Sequence, residues 1–193
     1  MEKQYENSLK AQFIVAMPQL LDSVFSKTVT CICEHTKTGA FGFTINKTYD
    51  QLKAASIFST LNIPYNKTTG SIPVFSGGPV NPGDVFILHE TTCTDNKISK
   101  NQFMITPDLA MSTSKQILID IAQNIFPVPY IIILGYAGWE QGQLDHEIMA
   151  NTWLNTEVYN DLIFKEPVKK RWDTAMEKIG INPLLISSNT GNA

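Results

Sequence analysis

Arginine is almost absent from this sequence: Arg171 is the only one in 193 residues. Arginine is the side chain best suited to forked contacts with phosphates and guanine edges. A broad nucleic-acid surface is therefore not expected, and the net charge of −3 points the same way. Cysteine is scarce too. Cys31, Cys33 and Cys93 are an odd set with no secretory signal ahead of them, which favours reduced thiols and a cytoplasmic location. Long apolar runs are missing. Residues 13–17 and 128–134 fall far short of the ~20 that span a bilayer, so no membrane segment is expected. Residues 1–10 mix Glu2, Lys3, Glu6 and Lys10 without an apolar stretch and read as a flexible leader. There is no internal repeat and no break in composition, so residues 11–186 read as a single domain, with a frayed tail over 187–193.

What is present is enough to build a core: 43% of residues are hydrophobic and 10% aromatic. Strands are expected over 13–17, 29–33, 43–46, 73–76, 84–90, 98–105 and 128–134, the last apolar and β-branched throughout. Three-residue spacing of Leu52, Ala55, Phe58 and Leu61 predicts a helix over 49–62. Further helices are expected over 113–124 and 143–150, and a last one after Pro167, with Val168, Trp172, Ala175, Met176 and Ile179 as its apolar stripe and Gly180 as its cap. Residues 153–158 fit either type. Two Gly-rich segments, 76–83 and 135–142, read as shaped turns.

Several chemical motifs fail on inspection. Ser112 to Lys115 matches Ser-x-x-Lys, and Lys37, Thr38 and Gly39 match Lys-Thr-Gly, but the order is reversed from the serine penicillin-binding enzymes and their Ser-Asp-Asn element is missing. Thr113 and Gln116 are better read as a capping box for the helix that follows. Cys31 and Cys33 with His35, His89 and Cys93 lack structural-zinc spacing, so neither a metal nor a cofactor is expected. Lys169, Lys170 and Arg171 form the one compact basic cluster and read as a solvated helix face. The glycines of the two turns would let backbone amides approach a ligand, although their spacing matches no nucleotide-binding fingerprint.

Taken in order with their flanks, these segments resemble the AlgH/YqgE family of bacterial proteins. The matching pieces are residues 13–18 with Asp22 and Phe25; Thr28 and Val29 with Glu34 and His35; residues 39–46; 77–80 followed by 85–89; 111–114; and 135–139 with 142–144, Glu147, Asn151 and Trp153. Lys47 and Thr48 depart from the Arg-Pro usual in the family, and Asp145 replaces a usual glutamate. The resemblance implies an α+β fold in which a strongly bent mixed sheet closes into a pseudo-barrel with flanking helices. It also brings a transcriptional-regulator label, which comes from a link to alginate regulation and names no reaction.

Spacing alone assembles neither a nucleophile with its base nor a metal cluster, so catalytic residues remain unassigned. The leading reading is a regulatory or binding protein whose partner is a small molecule or another protein, with any regulatory effect indirect and without direct nucleic-acid contact. The alternative is an enzyme acting on a small metabolite near the Gly-rich turns. In either case the ligand-pocket candidates are Gly77, Gly78, His89, Glu90, Gly135, Tyr136, Gly138 and Trp139.

Overall fold

The structure is a computed structural model that describes residues 8–20, 24–91 and 102–182. The leader up to residue 7, Asp22, Cys93, the start of the strand expected at 98 and the tail at 187–193 lie outside the described residues. The apolar segment Tyr-Ile-Ile-Ile-Leu begins the strand on which the molecule is built. Its branched side chains favour extended backbone, and the strand, β9 (Tyr130–Trp139), runs on through Gly135 and Gly138. The turn expected from residue 135 is thus corrected: it begins only after Trp139, because the ladder to neighbouring strands carries the glycines along.

On one flank β9 pairs antiparallel with β6 (Val80–Glu90). The other flank has two partners in succession. Ile132 to Leu134 pair in parallel with β5 (Pro73–Ser76), and Ala137 to Trp139 pair antiparallel with β3 (Gly39–Thr44). The exchange falls at Gly135, whose φ of +68° is open to glycine at no steric cost. The alternation of side chains slips there as well. Ile131 and Ile133 belong to one apolar cluster, and Tyr136 packs against that same cluster, whereas Ala137 and Trp139 belong to another. This is a β-bulge with a left-handed glycine. Gly77 stitches the junction: its N–H donates to Leu134 O at 2.9 Å and its carbonyl accepts from Thr44 N at 2.9 Å. The segment expected to be a turn at 76–83 therefore ends early, with β6 already under way at Val80 and its ladder interrupted between Val80 and Val85, where Pro82 brings no amide to donate.

β1 (Gln12–Ala16), β2 (Val29–Thr36), β7 (Gln102–Thr106), β8 (Leu109–Ser112) and β10 (Trp153–Glu157) complete a sheet in the order β10-β1-β2-β3-β9-β6-β8-β7. β4 (Thr48–Lys53) pairs with β5 off this path. The sheet is mixed and strongly curled into a half-barrel, and with its helices it forms a single α+β domain, as the family resemblance implied. The first five residues of the helix expected over 49–62 are thus strand, since pairing of Thr48 with Phe75 and of Lys53 with Pro73 holds that stretch extended; α1 is confined to Ala54–Thr60. The remaining helices are α2 (Lys67–Gly70), α3 (Lys115–Ala122), α4 (Gln143–Met149), α5 (Asn160–Phe164) and α6 (Arg171–Lys178). Neither β8 nor α5 was expected from periodicity, both being too short to show one. The capping box at α3 is not formed. Ser114 holds the cap position without a side-chain bond, and Gln116 instead donates to Asp120 Oδ1 at 2.8 Å. No helix among the described residues is long and apolar enough to cross a membrane.

Helices cover both faces of the central strands, so β2 is buried along most of its length. Cys31 and Cys33 pack inside as small apolar groups beside Trp172 and Met176 of α6, and burial pushes the Cys33 thiol well up from its ordinary pKa. Arg171 is not part of a solvated face. It is 4% exposed, donates from Nη1 to Ile45 O and from Nε to Glu166 O at 3.0 Å, and lies over the Phe75 ring. Burial lowers its pKa to about 10, which leaves it cationic at neutral pH. At the other end of α6, Gly180 N–H donates to Glu177 O and Ile181 N–H to Met176 O, the paired bonds of a left-handed glycine cap at φ +87°.

The glycine junction is the most demanding point of the fold. A Cβ on Gly77 would lie 2.3 Å from Gly135 O, and one on Gly78 2.3 Å from Ala137 N, both backbone atoms that cannot yield without moving a strand. Gly77→Ala and Gly78→Ala are each expected to lower the free energy of unfolding by about 1–3 kcal/mol or more. Gly83→Ala, with nothing within 4 Å of its added Cβ, should leave the urea midpoint in place.

Candidate functional site

Beyond Gly135 the sheet opens into a cleft of about 740 Å³ between β3, β6 and the end of β9. The slip at that glycine puts Tyr136 and Gly138 on its face of β9, while Trp139, which still borders the cleft, packs its side chain into the cluster on the other side. Phe41 stands opposite Gly138 and Val80 opposite Tyr136 in the ladders. Tyr136 meets Phe41 at a centroid distance of 6.1 Å and 79°, and Phe86 at 6.1 Å and 84°. Three half-buried rings therefore stand nearly edge to face as walls, with Met111 of β8 beside them. The rim is polar: Glu34, Thr36 and Thr38 come from the hairpin between β2 and β3, and Glu140 and Gln143 from the turn into α4.

A hydrogen-bond network fixes the other side of β9. Glu147 Oε2 accepts from Trp139 Nε1 at 2.9 Å and from Trp153 Nε1 at 2.7 Å, while its Oε1 accepts from Gln143 Nε2 at 2.9 Å. Gln143 Oε1 in turn accepts from the Glu140 amide at 3.0 Å. One carboxylate thus ties two indoles to a rim residue of the cleft. His35, also buried, accepts from Leu9 N–H at Nδ1 (3.0 Å), which leaves the proton on Nε2 facing Asp145 Oδ2 at 3.4 Å. Asp145, where the resemblance leads one to expect a glutamate, thus lies within reach of His35.

The other residues singled out in the sequence lie elsewhere. Gly77, Gly78 and Gly135 form the strand junction, and Gly78 also borders a separate hollow of about 210 Å³ with Lys47 and Tyr49. His89 pairs with Tyr130, six residues along β9 from Tyr136, or about 20 Å. Glu90 borders a third cavity with Asp108, Tyr159 and Asp161. His89 does have a partner that sequence reasoning missed. Its Nδ1 donates to Glu90 O at 2.8 Å, so Nε2 accepts from Ser112 Oγ at 3.0 Å. This is the contact that a nucleophile makes with its base. The serine is fully buried, the histidine is 5% exposed, and Phe126 closes over the ring edge-on at 5.5 Å, so the pair joins β8 to β6 away from solvent. Only the register of β6 against β8 brings the two together, which is why spacing did not show it. Among the described residues no group of three or more His, Cys, Asp or Glu is placed to hold a metal ion.

Comparison with known proteins agrees with this architecture. The family described as AlgH-like matches residues 13–184. A UPF0301 protein of Paracoccus denitrificans is 37% identical over 187 residues, covering 97% of this chain and 98% of the relative. One from Desulforapulum autotrophicum is 40% identical over 185 residues, covering 96% of each. The solution structure of AlgH from Pseudomonas aeruginosa superposes with a TM-score of 0.77 at 33% identity over the whole of both chains. A crystal structure of a Corynebacterium diphtheriae protein, at 21% identity and TM-score 0.69 over 91% of this chain and 89% of that one, shares the fold.

Two measurements check this description. Glu147→Ala leaves two indole N–H groups without their acceptor, at about 1–3 kcal/mol each, and tryptophan emission should shift with it; Glu147→Gln, which keeps an acceptor oxygen, should be milder. Burial lowers the pKa of His89 from its ordinary 6.5, with the Glu90 carbonyl opposing the shift. The unfolded chain then binds the proton more readily than the folded one, so this contribution is present in full above about pH 6.5 and is lost as the pH falls from there towards the folded value. Unfolding free energies measured between pH 7.5 and 5 should slope accordingly, and His89→Gln should flatten that slope.

Proposed function

This chain belongs to the AlgH-like family, and from that premise we propose that it is a binding protein which holds a small molecule with an apolar surface in the cleft beyond Gly135. The observation that carries this is the set of half-exposed rings, Phe41, Phe86 and Tyr136, standing as walls of one concavity where β9 pairs with β3 and β6. A pocket lined by apolar and aromatic groups with a few polar ones at its rim is the usual form of a small-molecule site. Regulation, where this protein takes part in it, then works by occupancy and through a partner. The burial of Arg171 supports that reading, because it removes the only arginine from any contact with phosphates. Free, buried Cys31 and Cys33 suit a reducing cytoplasm. The alternative, catalysis on a metabolite in the same cleft, gains nothing from the Ser112 and His89 pair, which is buried apart from it.

Gly138 offers the test. It is exposed in the cleft, and a Cβ there would make only ordinary contacts at 3.5 Å with Tyr136 and Val80. Gly138→Leu should crowd the cleft beside Tyr136 and Val80 and leave the unfolding midpoint unchanged or higher. In a thermal-shift screen of small aromatic and heterocyclic compounds, wild type should show hits that Gly138→Leu loses. Hits that survive in the variant would place the site elsewhere, and a wild type without hits would remove the proposal.

A further inference from the structure

We infer that the cleft selects a methylated ammonium group, so that its ligand is an organic cation. The inference rests on the cleft being a binding site, and it follows from what lines it. Phe41 and Phe86 stand nearly perpendicular to Tyr136, at 79° and 84°, and pack against it, so the three rings turn differently oriented surfaces towards the cleft they line. Ring faces carry the negative part of the aromatic quadrupole and attract cations, more strongly where water is displaced. The charged side chains of the lining are Glu34 and Glu140, both acids; among the described residues no lysine, arginine or histidine lines the cleft. An anion would enter against both carboxylates, whereas a cation is favoured by rings and rim together.

The same aromatic cluster already accommodates an ammonium. Lys10 Nζ lies 4.8 Å from the centroid of Phe103, whose ring packs 6.0 Å from that of Phe41. Methylation decides between classes of cation. A bare ammonium brings three N–H donors and a firmly held hydration shell. The walls Phe41 and Phe86 offer no acceptor to those donors and Met111 only a weak one, so entry would strip water with little to replace it. A trimethylammonium head has no N–H to satisfy and presents apolar methyls that can pack against the ring-lined wall, with Glu34 and Glu140 supplying charge from the rim. Such a head can belong to a free small molecule or to a methylated lysine of another protein; the recognition chemistry is shared.

The experiment titrates the full chain, by NMR and calorimetry, with choline, with its neutral carbon isostere 3,3-dimethylbutan-1-ol, and with a short peptide carrying trimethyllysine. Choline is expected to bind at least tenfold more tightly than the isostere and to shift the ring signals of Phe41, Phe86 and Tyr136. Glu34→Gln and Tyr136→Leu should each weaken choline at least fivefold, and Glu34→Gln, which keeps the side-chain shape, should leave the isostere unaffected. Gly138→Leu should abolish binding. A trimethyllysine peptide that binds better than choline would support the same chemistry and point to a protein source. Equal affinity for choline and the isostere, with both lost in Gly138→Leu, would overturn the cationic specificity and leave the cleft as a binding site. No binding of either probe, with aromatic compounds still bound, would also overturn it. Absence of any binding in wild type would overturn both readings.

Discussion

One residue's worth of backbone, at Gly135, decides how this molecule is arranged. A strand keeps its side chains in strict alternation, and a slip of one position sends every later residue to the opposite face. Here the slip is built in. Ile131, Ile133 and Tyr136 share a face only because the glycine absorbs the extra residue. Its open conformation also lets the strand exchange β5 for β3 as neighbour, and Gly77 and Gly78 let the chain pass close enough for that exchange. Without the slip Tyr136 would lie on the face where Trp139 packs, and the cleft would lose a wall. The glycines named from the sequence as ligand contacts thus shape the site by deciding which side chains reach it.

Two polar groups hold the surroundings of that junction. Arg171 anchors the first turn of α6 to the end of β3 through the carbonyl of Ile45, and a partner placed across 126 residues of sequence closes the chain around the half-barrel. Glu147 does the corresponding work on the far side of β9, where both indoles depend on the same carboxylate. Each is a charge taken wholly or partly out of water and then satisfied by fixed donors or acceptors, an arrangement in which removing one member strands the others.

Much of the fold was legible because it is local. The apolar run at 130–134, the stripe of α6 and the glycine that caps it each announce themselves within a few residues. What escaped depends on pairing between distant segments. Residues 49–53 open the stretch whose spacing predicts a helix, yet become strand because β5 lies alongside; Ser112 meets His89 only through sheet register; Arg171 sits beside two exposed lysines and gives no sign of being buried. The candidate site shows the same division. Tyr136 and Gly138 were visible as unusual residues at the end of a buried strand, but Phe41, Phe86 and Glu34 come from other strands and meet them only in three dimensions. The turn expected at 135–139 failed for a related reason: local glycine content argues for a turn, and hydrogen bonds from both neighbouring strands outweigh it.

The missing side chain at Gly138 has an evolutionary consequence. The position stands opposite Phe41, is exposed, and has room for added atoms without touching backbone. Glycine codons reach alanine, valine, serine and several larger residues by a single base change. The depth of the cleft is therefore adjustable in one mutational step, separately from Gly77 and Gly78, where the same codons are confined by packing. A lineage carrying this scaffold can change the shape of the cleft without first acquiring compensating substitutions in the core.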